Sequence, residues 1–223
     1  MREIQKTELL HSQVYTILKT MIMERDFAPG ERLVETKVAV QLGVSRGTVR
    51  EAFQMLLKDG LLTRNNNVIS VYNPTVQDIV DVYQCRESLE SLAVKLATFH
   101  ITDDQLKRLG TVLKESKKAV NENNTQTLTN LNQEFHDLID IASHNQQLIQ
   151  LCDVIKTKTL YIRNNVLKNH FKNFSDFVDD HERIYLAIKD HDAQKAENEM
   201  KTHIEKSFKT IQSALGAIPT ADH

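Results

Sequence analysis

The sequence predicts a mainly α protein built as an N-terminal winged helix-turn-helix followed by a C-terminal antiparallel helical bundle. Three observations predict it. Among 223 residues there are only 6 Gly, 3 Pro and no Trp, too little turn material for an all-β fold. Apolar residues recur at helical spacing almost throughout, and the one stretch of strand character, LLTR and VISVY, is confined to residues 61–72. The break YNPT at 72–75 then separates three short helical segments and that hairpin from a long helical remainder. Domains at 1–75 and 76–215 follow, with a disordered tail expected over 216–223.

Leu10, Val14, Ile17, Leu18, Met21 and Ile22 form one face of a first helix, which FAPG (27–30) stops. In ETKVAVQLG, Thr36 is the expected cap of a short second helix, and Gly43 supplies a residue free to take positive φ at a sharp turn. Ser45 stands where the N-cap of a third helix belongs. Val49, Ala52, Phe53, Leu56 and Leu57 give that helix its apolar stripe, and Asp59-Gly60 ends it. Asn65-Asn66-Asn67 joins the two strand-like runs, since Asn tolerates the left-handed conformations of tight turns. Beyond the break, helices are expected over 76–99, 102–122, 125–143, 145–168, 175–189 and 192–213.

No apolar run approaches the roughly 20 residues that span a bilayer, and MREIQKTELLHSQ carries charges where a signal peptide is apolar. A cytoplasmic protein with no membrane partner is expected. Cys85 and Cys152 lack any CxxC spacing and read as core thiols. Residues 1–72 carry 10 Lys/Arg against 8 Asp/Glu within a chain of net charge -2, so the first part tolerates a polyanion without proving one.

Three short helices, a Gly turn before the third, and a hairpin are the parts of a winged helix-turn-helix. Arg46 and Arg50 lie four apart on the third helix, opposite its apolar stripe, and so project on one face. An arginine fork suits the O6 and N7 of guanine or a phosphate, and the exposed amides of a helix N-terminus add phosphate affinity. Ser45 and Thr48 sit beside them as phosphate donors. The alternative is a solvated face on which Arg50 pairs with Glu51 or Glu35.

The stretch APGERLVETKVAVQLGVSRGTVREAFQMLLKDGLL resembles the DNA-binding module of the GntR family of bacterial transcription regulators. The resemblance implies DNA contacts at Arg32, Arg46 and Arg50 and a wing tip, here Asn66, near the minor groove. Gly47-Thr48 replaces the usual Thr-Pro, a change expected to loosen the helix start, and the Asn run lacks the wing's usual glycine.

Of the chain's nine histidines, His11, His100, His144, His170, His191 and His223 fall at breaks, ends or exposed faces. Three others differ. His136 shares with Asn132 one shoulder of the stripe Leu131, Phe135, Leu138, Ile139, Ala142. His181 and His203 become level if the chain folds back at Asp190-His191-Asp192. Three imidazoles and one oxygen suit zinc, nickel or a similar divalent ion with an open position. Separate histidines satisfied by local hydrogen bonds are the alternative.

Residues 76–213 are similar to the all-helical (FCD) effector domain of the family's FadR-type branch, through CRESLESLA, EFHDLIDIASHN, DHERIYLAIKDHDAQKAENEM and KTHIEKS. The resemblance implies a metal held by His136, His181, His203 and the residue four before the first of them. That residue is acidic in the family and is Asn132 here, with Asp140 as a fallback carboxylate. It also implies a small carboxylate effector clamped by Arg86, against the alternative of an Arg86–Glu90 surface pair.

A homodimeric, ligand-responsive repressor reading a palindromic double-stranded operator is the expectation, because half-site recognition mirrors two-fold symmetry. A metal-dependent hydrolase using the three histidines is the competing class. It lacks a general base, since Asp137 and Glu134 turn away from the His136 shoulder, and it leaves the arginine-bearing module unexplained.

Overall fold

The computed structural model describes residues 9–166 and 175–216. The tail expected over 216–223 lies outside these residues apart from Gly216, the last residue of a helix. The chain divides into two compact units: one is the chain up to Ile79 with Thr157–Asn165, the other Val80–Lys156 with the chain from Val166. A later helical segment, Thr157–Asn165, is thus part of the first unit.

In that unit α1 (Leu10–Met23) buries Val14, Leu18 and Ile22, while Ile17 is left exposed at the stripe's edge. α2 (Glu35–Leu42) starts one residue before Thr36. Val34 is its N-cap without a side-chain bond, and Glu35 takes the first turn, where a carboxylate is favoured by the helix dipole. Gly43 ends α2 at φ 65. Ser45 caps α3 (Arg46–Lys58) by accepting from the Thr48 amide at 3.1 Å. The start that Gly47-Thr48 was expected to loosen is closed by this cap. Val49, Ala52, Phe53 and Leu56 are buried.

The hairpin is β2 (Leu62–Asn65) and β3 (Val68–Val71), paired Asn65↔Val68 around a two-residue turn in which Asn66 takes φ 53. Asn66 thereby adopts the left-handed backbone usually given to glycine. A strand the sequence hid, β1 (Arg32–Leu33), pairs antiparallel with β3, giving the order β1-β3-β2. Two residues are too few to show an alternating pattern. Tyr161, from the segment 157–165, joins the unit's core and donates its hydroxyl to the Tyr72 carbonyl at 2.6 Å.

From Val76 on, every described element is a helix: α4 (Val76–His100), α5 (Asp103–Asn121), α6 (Thr125–Ala142), α7 (Gln146–Val166), α8 (Ser175–Lys189) and α9 (Ala193–Gly216). Thr102 and Gln105 form a capping box on α5, and Asn124 caps α6. The turns after α5, α6 and α8 use Asn123, His144 and His191 at φ 52, 54 and 55. α6 packs on α5, α9 on α8, and α5 on α8. Cys152 is buried, but Cys85 lies on the exposed face of α4, which corrects its reading as a core thiol.

Candidate nucleic-acid interface and candidate metal centre

The cap at Ser45 sets the first turn of α3, so Arg46 and Arg50 emerge one turn apart with side chains 61% and 54% exposed. Both lean on one carboxylate. Glu35, at the start of α2, accepts from Arg46 Nε at 2.8 Å and lies 3.4 Å from Arg50 Nε. The hydrogen bond from Arg46 leads the causes that lower the Glu35 carboxyl below its usual range. The pairing alternative is therefore present in part: Glu35 is the partner, whereas Glu51 lies 2.9 Å from His11. Arg32 is exposed on β1 and Asn66 is exposed at the hairpin tip. Ser45 and Thr48 share a hydroxyl hydrogen bond of 2.8 Å.

In the second unit, α6, α8 and α9 bring His136, His181 and His203 together. One ligand atom from each lies within 4.8 Å of the others, and all three residues are buried. Their ring centroids are 4.8 to 5.3 Å apart. The Phe135 ring stacks on His181 at 4.0 Å and fixes its plane. Burial, followed by the smaller repulsion of neighbouring positive groups, outweighs the Asp180 bond and holds His203 down to about 4, so this imidazole is neutral at pH 7.

Carboxylates stand behind two of the rings. His136 Nδ1 lies 2.7 Å from Glu90 Oε2, and His203 Nδ1 lies 3.5 Å from Asp180 Oδ2. His136 Nε2 is buried without a hydrogen-bond partner among the described residues. A buried, unsatisfied ring nitrogen beside two further imidazoles fits a borderline divalent ion, because such an atom otherwise costs free energy. Asn132, one turn before His136, is half-buried.

Arg86 is buried, so its pairing with Glu90 is internal rather than on the surface: Nε donates to Glu90 Oε1 at 2.6 Å. Burial raises the Glu90 carboxyl, but Arg86 and His136 outweigh it and hold the group well below its usual range. Arg86 Nη1 is buried with no hydrogen-bond partner among the described residues. Asp180 is likewise lowered, burial being outweighed by His203 and by Lys206, which donates to it at 2.7 Å; Arg183 also donates to it.

Asp140, the fallback carboxylate, is not part of the histidine cluster. It is buried beside Cys152, and burial first, then the charge of Glu90, pushes its carboxyl up to about 8. Glu134 and Asp137 are held by Arg108 at 2.7 Å and Lys156 at 2.6 Å. Sequence reasoning placed Asp180 merely beside His181 and Glu90 merely four residues after Arg86. Nothing in helical spacing reveals that these carboxylates face histidines on other helices.

Residues 10–68 match the bacterial regulatory proteins of the gntR family, and residues 81–206 match the FCD domain. The chain belongs to the GntR family of transcriptional regulators. This GntR regulator is 32% identical over 216 residues to the uncharacterized HTH-type transcriptional regulator YdhC of Bacillus subtilis (strain 168), covering 96% of each chain. It is 24% identical to the HTH-type transcriptional repressor RspR of Escherichia coli (strain K12), covering 94% of this chain and 92% of that one. Among solved structures, E. coli McbR/YncC superposes with a TM-score of 0.77 at 20% identity, over 94% of this chain and 100% of that one, a likeness of fold. A GntR regulator from Rhodococcus sp. RHA1 superposes at 0.70 with 25% identity, over 93% and 98%. The GntR regulator is thus a DNA-binding transcription factor, and the hydrolase alternative has no support from its relatives. Among its described residues no helix is long and apolar enough to cross a membrane.

Proposed function

We propose that this GntR regulator is a homodimeric repressor whose hold on a palindromic operator is set by a small carboxylate bound beside a divalent ion, zinc or nickel. Arg32, Arg46 and Arg50 read or grip the DNA, with Ser45, Thr48 and Asn66 at the phosphates and the wing. The ion is held by His136, His181, His203 and Asn132, and Arg86 clamps the effector. The observation that carries the reading is the buried convergence of three imidazoles, one with an unsatisfied Nε2, next to an arginine with an unsatisfied Nη1. Buried donors and acceptors left unpaired together mark a place where a ligand completes the structure.

Repression draws support from RspR, a relative named as a repressor. The dimer draws support from the general rule that half-site recognition mirrors two-fold symmetry, and from Leu92 and Phe99, exposed by 43% and 66% and spaced seven apart on α4. The effector controls DNA binding only by favouring one arrangement of the paired heads over the other.

The test is fluorescence anisotropy of the protein against duplex from its own upstream region and against a genomic fragment pool. It is repeated with zinc or nickel and a panel of small carboxylates, beside Arg46→Ala and Arg50→Ala. Saturable binding that both variants lose and that a carboxylate shifts only in the metal-loaded protein is the expected result. Binding indifferent to every metal and carboxylate combination would remove the effector reading and leave a constitutive DNA-binding protein.

A further inference from the structure

We infer that the effector carries two negative charges, a small dicarboxylate rather than a monocarboxylate. The inference deepens the proposed metal and carboxylate reading and rests on it. Its basis is a count of charges around the three histidines. The donors are the three clustered imidazoles and, as proposed, the amide of Asn132 one turn before His136, all neutral species as ligands. Glu90, the anion closest to His136, is already matched by Arg86 at 2.6 Å, so the pair adds no net charge. Asp180, the anion closest to His203, is outnumbered by Lys206 and Arg183, while Glu199 takes Arg183 Nε at 3.1 Å. Asp137 is matched by Lys156. Asp140 is not part of the histidine cluster and is buried beside Cys152, with its carboxyl pushed up by burial.

A divalent ion in this site therefore keeps both of its positive charges uncompensated in a buried place. Burying such charge is costly unless it is matched. With an acidic residue at position 132, the protein would cancel one charge and a monoanion would finish the site. With Asn132, one carboxylate leaves a charge over, and a second carboxylate on the same small molecule completes the balance. One carboxylate would meet the ion, and the second would be drawn by the ion's remaining charge and by Arg86 Nη1, which has no hydrogen-bond partner among the described residues.

The experiment is calorimetric titration of nickel-loaded, dialysed full-length protein with succinate and with butyrate. These acids share a four-carbon chain and differ by one carboxylate. Retained metal is measured independently by mass spectrometry. Wild type should bind succinate about tenfold or more tighter than butyrate. Asn132→Asp should collapse that ratio by about tenfold. Equal affinities for the two acids, or a ratio that Asn132→Asp does not change, would overturn the dianion inference and leave the metal and carboxylate reading standing. Loss of nickel on dialysis, or no binding of either acid by loaded protein, would overturn that underlying reading and this inference with it.

Discussion

Two carboxylates in this GntR regulator each bridge partners one helical turn apart or across helices, and they live in opposite surroundings. Glu35 leans on Arg46 and Arg50, whose side chains are more than half exposed. Glu90 joins Arg86 to His136 with all three side chains at most 10% exposed. In water, an ion pair gains little over solvated ions and exchanges readily, so a phosphate can take Arg46 or Arg50 from Glu35 at small cost. In the interior, the same pairing strongly resists disruption, because removing one partner leaves the other charged and dry. Exposure, rather than residue type, separates the two arginines of α3 from the arginine locked inside the FCD domain.

The largest expected effect breaks the buried side of that comparison. Glu90→Ala should cost about 3–5 kcal/mol in urea denaturation, because it strands Arg86 and removes the neighbour of His136 Nδ1. Glu35→Ala should stay within about 1 kcal/mol, because the arginines it leaves behind are more than half exposed and solvated. Similar costs for the two substitutions would sink the distinction.

That contrast also marks where the sequence was legible. Ser45, Gly43 and Asp59-Gly60 announced α2 and α3 because caps and stops act within a few residues. The six later helices were readable for the same reason; His181 and His203 were made level by counting residues from one break at 190–192, and His136 was placed by its shoulder of the α6 stripe. Helical periodicity placed Arg86 and Glu90 one turn apart but gave no sign of whether that turn faced solvent. β1 escaped notice because two residues, Arg32 and Leu33, owe their strand to β3 rather than to their own pattern. Thr36 was a plausible cap by type, yet the extended Val34 after β1 starts α2 earlier.

A second buried acid sharpens the comparison through pH. Asp140 has its carboxyl raised from 3.8 to about 8, by burial first and then by the charge of Glu90. The folded protein therefore holds a proton there that the unfolded chain releases above about pH 4. Its contribution to stability is full below that pH and is lost as pH rises towards 8, at no more than about 1.4 kcal/mol per pH unit. Asp140→Asn has no such proton to lose. Its stability relative to wild type should rise steadily between pH 5 and pH 8 in denaturation curves, and a constant difference across that range would count against a protonated Asp140.

The N-cap of α3 is worth less. Ser45→Ala removes the acceptor of the Thr48 amide and should cost about 1 kcal/mol of stability. The measurement that gives the cap meaning is DNA affinity beside it: a loosened first turn lets Arg46 wander, so operator binding should fall by more than the stability loss alone predicts. Equal operator affinity in the variant would make Ser45 a structural cap only.

The smallest effect tests the exposed side. Glu35→Gln keeps the shape of the side chain that Arg46 Nε approaches at 2.8 Å but takes away its charge. Both arginines then present their full charge to any phosphate, so affinity for unrelated duplex should rise a few-fold and the salt dependence should steepen by at most about one released counterion. The operator gains the same phosphate attraction. It also loses whatever orientation the carboxylate gave the two guanidinium forks, so its advantage over unrelated duplex should narrow. Titrations of both duplexes at several salt concentrations read the two terms separately. An unchanged slope with an unchanged ratio would mean that Glu35 already yields both arginines to DNA at no cost, and that even this modest pairing is spectator chemistry on the reading face.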